Sequence, residues 1–150
     1  MMMDRLDKLA GAWESETIAD GQVVARGLTV YGWLEDRKFM VQHADGELTE
    51  AAPAIWRENW PLPSTSIIGF DDSSGAFSML YADARDVFRI YQMAVEKDVV
   101  TLRREAPGFH QRFVAAFDAE GDTMTAVWEK SEDGVEWSKD FDIVYRRLAP

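Results

Sequence analysis

Two histidines, His43 and His110, are the first residues to weigh for acid-base or metal chemistry, because imidazole alone titrates near neutral pH in its unperturbed state. They lie far apart in the chain, in neither a His-x-x-x-His nor a His-x-Glu spacing. By its phase with Phe39 and Val41, His43 points to the interior near a mouth, against the plainer reading of both histidines as ordinary surface or rim residues. His110 falls between Phe109 and Gln111 and is expected to face out. No Ser-His-Asp set, phosphate-cradling loop or dinucleotide glycine pattern is present. The run Asp71-Asp72-Ser73-Ser74-Gly75 lacks the alternating ligands and distal glutamate of a calcium loop and reads as a solvated turn. The chain has no cysteine, which excludes thiolate chemistry and a disulfide framework. No catalytic residue, metal or cofactor is expected, and a binding protein is the better reading than an enzyme.

Recognition chemistry is better represented. Arg57, Arg89, Arg104 and Arg112 sit in aromatic or apolar surroundings. A guanidinium turned into a core must find an anion, because burying it alone is costly. One partner is an internal carboxylate such as Asp83, Glu105 or Glu129. The other is the carboxylate or phosphate of a ligand, held in the bidentate mode that arginine favours. An outward arginine paired across strands is the plainer alternative. Trp33, Trp56, Trp60, Trp128 and Trp137 are more indoles than a core of this size needs. They suit a lined pocket, with Trp56 and Trp60 on a loop over its mouth. Met40, Met79 and Met93 are adaptable wall or core residues.

The elements that must position these groups are strands. Turn signals recur at Asp20-Gly21, Asp45-Gly46, Ser74-Gly75, Glu120-Gly121 and Asp133-Gly134, with further breaks at Lys97-Asp98 and Pro107-Gly108. Asp-Gly supplies the positive φ angles of tight hairpins. Strands are expected over 11–19, 22–34, 38–44, 48–52, 65–71, 76–83, 86–95, 99–105, 109–118 and 122–131, with a closing strand over 135–147. Several alternate with period two, so that Phe109, Gln111, Phe113, Ala115 and Phe117 share one face. Helix is confined to about 4–10, stopped by Gly11, and a short turn within 53–60 that Pro61 ends. A meander of about ten strands must close to hide its edges, and an up-and-down barrel is the simplest closure. With more strands than the eight whose side chains just fill a lumen, an internal cavity is expected.

The bulk numbers agree with one domain over 1–150. A chain of this length buries about 68–70% of its unfolded surface, enough for a core without staples. The net charge of −11 disfavours nucleic acid as a partner. No run approaches the roughly 18 apolar residues of a membrane helix, and the charged N-terminus lacks a signal sequence core. A cytoplasmic, non-membrane protein is expected, and a homodimer stays open.

The chain ends carry a family likeness. Leu9-Ala10-Gly11-Ala12-Trp13 follows a short helical segment, and Tyr145-Arg146-Arg147 leaves the last strand. Between them lie Tyr81-x-Asp83-x-Arg85-Asp86-Val87-x-Arg89 and Phe109-His110-Gln111-Arg112. On these residues the chain resembles the calycin group, which covers lipocalins, fatty-acid-binding proteins and nitrobindin-like haem proteins. It is most similar to small bacterial calycin-like domains of unknown function. The resemblance implies an all-β, single antiparallel barrel with a short N-terminal helix. Gly11, Trp13 and either Arg146 or Arg147 would close its floor, the guanidinium stacking on the indole. It also implies a lumen for a small hydrophobic or amphipathic ligand, possibly one bearing a carboxylate. By phase the lumen candidates are Tyr31, Trp33, Phe39, Met79, Tyr81, Arg89, Tyr91, Gln111, Phe113, Trp128, Phe141 and Tyr145. A nitrobindin-like haem alternative would need an imidazole on the lumen wall, for which His43 is the candidate. A structural module with a filled lumen is the remaining alternative.

Overall fold

A computed structural model describes residues 1–149. Ten strands form one closed antiparallel barrel in which each strand pairs with its sequence neighbours and the last pairs with the first. They are β1 (Gly11–Ala19), β2 (Gln22–Leu34), β3 (Phe39–Leu48), β4 (Ser64–Asp71), β5 (Ala76–Asp83), β6 (Phe88–Glu96), β7 (Val99–Arg104), β8 (His110–Phe117), β9 (Thr123–Ser131) and β10 (Ser138–Arg147). A 3₁₀ helix, Met2–Leu9, precedes β1, and a short helix α1, Ala54–Glu58, lies between β3 and β4. The all-β up-and-down barrel expected from the meander is the observed fold. Both Asp20 and Gly21 take positive φ, at 50° and 76°, as the tightest hairpins require.

One expected boundary is corrected. Asp45-Gly46 is not a turn, and no separate strand covers 48–52. β3 runs through Gly46, which pairs with Gly27 of β2. A Cβ on Gly46 would lie 2.6 Å from the Arg26 carbonyl, and one on Gly27 would lie 2.4 Å from the Asp45 carbonyl. The two glycines let β2 and β3 approach where any side chain would collide, a strand use of glycine that looks like a turn in sequence.

The barrel floor is built from the two chain ends. Leu6, Leu9 and Trp13 are buried. The Trp13 indole donates to the Leu9 carbonyl at 2.9 Å, fixing the 3₁₀ helix under the strands. The Arg147 guanidinium lies 4.1 Å from the Trp13 ring and donates to the carbonyls of Ala10 at 2.8 Å, Lys8 at 2.6 Å and Gly121 at 3.3 Å. Gly11 has φ of 116°, and a Cβ there would sit 3.3 Å from that guanidinium. Arg147 is therefore the closing arginine. Arg146 points outward and pairs with Glu16 at 2.7 Å. Above the floor, Met40, Ile68, Phe77, Met93, Val95, Val100, Leu102, Phe117 and Met124 form a dry core.

Trp13→Ala should lower unfolding stability by about 3–5 kcal/mol, the range for truncating a buried aromatic. Urea denaturation checks this, and a loss below about 1 kcal/mol would remove Trp13 from the floor.

Candidate functional site

The mouth half of the lumen differs from the floor half in chemistry. The hairpin ends at 20–21, 84–87 and 132–137 surround the mouth, together with the β3–β4 and β7–β8 connections. Tyr31, Tyr81, Tyr91, Gln111, Phe113, Trp128, Phe141 and Tyr145 share the inward phase of their strands, as expected, with Tyr31 and Tyr145 toward the floor, opposite Gly11 and Met124. Pairing brings them together: Phe113 lies opposite Trp128, Trp128 opposite Phe141, and Tyr81 opposite Arg89. Their rings interlock, with centroids 6.1 Å apart for Tyr81 and Tyr91, 5.5 Å for Tyr91 and Trp128, and 4.8 Å for Phe113 and Trp128. Trp56 of α1 meets Phe141 edge-on at 5.1 Å, so the β3–β4 connection reaches over the mouth.

Two expectations change. Phe39 is exposed on the outer face and is not a lumen residue. Met40, fully buried, sets the inward phase of β3 instead. His43 follows Phe39 outward, where its Nδ1 lies 3.2 Å from the Thr65 hydroxyl. The Phe39-to-Ala44 run has apolar residues on both phases, which is why its facing misleads. His110 sits at the rim, its Nδ1 accepting from the Ala106 amide at 3.1 Å. The lumen wall thus offers no imidazole to a haem iron. Trp33 faces inward at the floor end, where Arg37 covers it at 4.4 Å while bonding Asp4 and Asp7 of the 3₁₀ helix. Met79 is a core residue opposite Ile68 and Tyr91.

The structure also adds residues the pattern missed. Gln42 donates to the Tyr31 hydroxyl at 3.1 Å. Ser66 is fully buried between Gln42 and Tyr81, and its hydroxyl has no hydrogen-bond partner among the described residues. Polar residues at inward positions are passed over when faces are assigned by apolar alternation. A polar lumen can only be seen once the barrel is closed.

Charge in the lumen is sorted by partner. Tyr81 donates to Asp83 at 2.7 Å, and Arg85 bonds the same buried carboxylate at 2.6 Å. Burial works to raise the Asp83 pKa, but bonds from Arg85 and Tyr81 outweigh it and hold the carboxylate below its ordinary range. Arg112 pairs with Glu129 at 2.8 Å and stacks on Trp137 at 4.2 Å on the outer face. Glu105 is exposed. Of the three carboxylates weighed as internal partners, Asp83 is buried but taken by Arg85 and Tyr81, Glu129 is paired on the outer face, and Glu105 is exposed. Arg57 is exposed and bonds the Thr49 carbonyl. Half-buried Arg89 and Arg104 remain, in inward phase at the mouth. Arg104 donates to the Phe109 carbonyl at 3.0 Å, and Arg89 lies over the Phe109 ring at 5.2 Å. Neither pairs with a carboxylate among the described residues. Both act on one phenol: burial raises the Tyr91 pKa, while Arg89, Arg104 and Arg85 pull against it. Tyr91 in turn donates to Gln111 Oε1 at 2.9 Å.

The fold has a solved counterpart. The crystal structure of Rv2717c from M. tuberculosis matches with a TM-score of 0.61 at 13% identity, covering 98% of this chain and 97% of that one. At that identity the likeness establishes the barrel alone. No family model matches the chain, and no curated protein does.

All four tyrosines of the chain line this one lumen, and burial raises the pKa of each. Tyr31 is pushed up to about 12. The native protein should therefore show almost no tyrosinate absorbance at pH 10, where a free phenol is about half ionised. The neutral phenols favour the fold fully below about pH 10, and that contribution is lost as pH rises toward the folded values. A spectrophotometric titration checks this. A smooth transition centred near pH 10 in folded protein would put the tyrosines in water.

Proposed function

We propose that this calycin-like barrel binds a small amphipathic molecule bearing an anionic group, without transforming it. Its apolar body would lie against Phe113, Trp128, Phe141 and Tyr145. Its carboxylate would sit between Arg89 and Arg104 at the mouth. The supporting observation is the pair of half-buried guanidiniums at one phenol, each without a carboxylate partner among the described residues while Asp83 and Glu129 are held by other arginines. The unpartnered Ser66 hydroxyl supports the same reading, since buried polar groups in native proteins almost always find a partner. Trp56 on the mouth connection places an indole where ligand entry would be sensed.

A dansyl-labelled medium-chain fatty acid and the matching alcohol test the reading by fluorescence titration. Arg89→Leu and Arg104→Leu should each weaken the acid by roughly ten- to a hundredfold, the worth of one charge-assisted hydrogen bond. The alcohol should change by less than about threefold. Equal losses for acid and alcohol would remove the arginines from the site. No binding of either probe by the unaltered protein would favour a filled structural barrel.

A further inference from the structure

An inward stripe of polar side chains crosses neighbouring strands from β2 to β6. Tyr31, Gln42, Ser66, Tyr81 and Arg89 lie opposite one another in turn. The stripe starts toward the floor at Tyr31 and reaches the mouth at Arg89. Its mouth end is charged, with Arg89 itself and with Tyr81 tied to the Asp83 carboxylate. Its deep end is neutral and incompletely bonded. Gln42 Nε2 donates to the Tyr31 hydroxyl at 3.1 Å, and no other hydrogen bond reaches the Gln42 side chain among the described residues. The second amide hydrogen and Oε1 of Gln42 are therefore free to bond. The fully buried Ser66 hydroxyl has no partner at all among the described residues. Gln42 stands between two hydroxyls and serves one of them. Native proteins rarely leave a buried hydroxyl unbonded, so the deep end of the stripe lacks one polar group.

We propose that Tyr31, Gln42 and Ser66 form a second subsite in the lumen, which takes a hydroxyl group carried by the ligand far from its carboxylate. The inference rests on the amphipathic-anion reading above and narrows that ligand to a medium-chain hydroxy acid. A hydroxyl suits the place because it donates and accepts at once. It would donate to Gln42 Oε1 and accept from the Ser66 hydroxyl. A methyl end would leave both groups unbonded in a dry wall. A second carboxylate is disfavoured by charge. The stripe has no cation before Arg89, and the Asp83 carboxylate, held ionised, lies on the strand next to Ser66. Access runs past Gln42. On the inward face Ser66 is flanked by Gln42 and Tyr81. Tyr81 is pinned to Asp83 at 2.7 Å, whereas Gln42 is half-buried, unbranched and held by one bond. A swing of Gln42 uncovers the Ser66 hydroxyl. Spacing sets the length of the ligand. Ser66 and Arg89 stand two strands apart, roughly 10 Å at about 4.8 Å per strand. An extended chain covers that span in about seven to eight carbon–carbon bonds of ~1.5 Å.

Isothermal titration calorimetry with octanoate, ω-hydroxyoctanoate, α-hydroxyoctanoate and suberate tests the inference. The ω-hydroxy acid should bind about three- to tenfold tighter than octanoate, the worth of one neutral hydrogen bond. The α-hydroxy acid has the same atoms with the hydroxyl beside the carboxylate, and should gain less than about twofold. Suberate, with a second carboxylate at the far end, should bind more weakly than octanoate. Ser66→Ala should abolish the preference for the ω-hydroxyl and leave octanoate within about twofold of the unaltered protein. It exchanges an unbonded hydroxyl for a hydrogen, so it should fold and melt no lower than the unaltered protein. Gln42→Leu should also reduce the preference, and it carries the test should Ser66→Ala unfold. Equal binding of octanoate and its ω-hydroxy derivative, with both weakened by Arg89→Leu, overturns the subsite and leaves the anion site standing. A preference that survives both variants overturns the subsite too, as does tighter binding of suberate. Failure of all these acids to bind overturns both readings together.

Discussion

The barrel depends on the Arg147 guanidinium laid across the Trp13 indole. A meander of ten strands has two free edges until β10 meets β1, and those edges are the strands that carry these two residues. The contact adds stacking to hydrogen bonds with carbonyls from the 3₁₀ helix end and from the β8–β9 turn. It therefore fastens three parts of the chain at one point. Gly11 is required there because a side chain would press on the guanidinium and because the backbone turns through positive φ. Closure removes the exposed edges that would otherwise invite pairing with other chains.

Closure also divides the lumen. Toward the floor, methionines and aliphatics interlock around Trp13, whose indole N–H is satisfied by the Leu9 carbonyl. Elsewhere along the wall, tyrosines, glutamines and serines replace them, each hydroxyl or amide in need of a partner. Tyr31, Tyr81 and Tyr91 find one in Gln42, Asp83 and Gln111. Ser66 does not. A wall of this kind is mostly apolar with a few convergent polar groups, which is the usual make-up of a small-molecule site.

The charges are distributed to match. Acids dominate the chain, yet the arginines are placed one by one. Arg147 closes the floor, Arg37 binds the 3₁₀ helix, Arg85 neutralises Asp83 and Arg112 neutralises Glu129. Arg89 and Arg104 are left at the mouth beside one phenol. The centre of the outer wall from β2 to β6 is the opposite case, rich in apolar side chains and without Asp, Glu, Lys or Arg. The lumen and the outer wall use alternate residues of the same strands, so one sheet presents two unlike surfaces.

Much of the fold was legible from local chemistry. Turn residues marked most of the hairpins, and alternation set the facing of β5, β6, β8 and β10. The terminal Gly11-x-Trp13 and arginine anticipated the floor. These are short-range properties, set by φ preferences and a period of two. The sequence could not distinguish Gly27 and Gly46 as a close cross-strand contact from a turn. It could not tell Arg147 from Arg146, which differ only in phase. It placed Phe39 and His43 inside when Met40 decides the phase of β3. A one-residue slip exchanges every inward and outward side chain of a strand. Where both phases are apolar, only neighbouring strands can choose between them. Which arginine meets which acid is likewise settled between strands distant in sequence. Local residue chemistry fixes the elements and their order, whereas facing and charge pairing arise only when the sheet closes, because they are properties of contacts and not of residues.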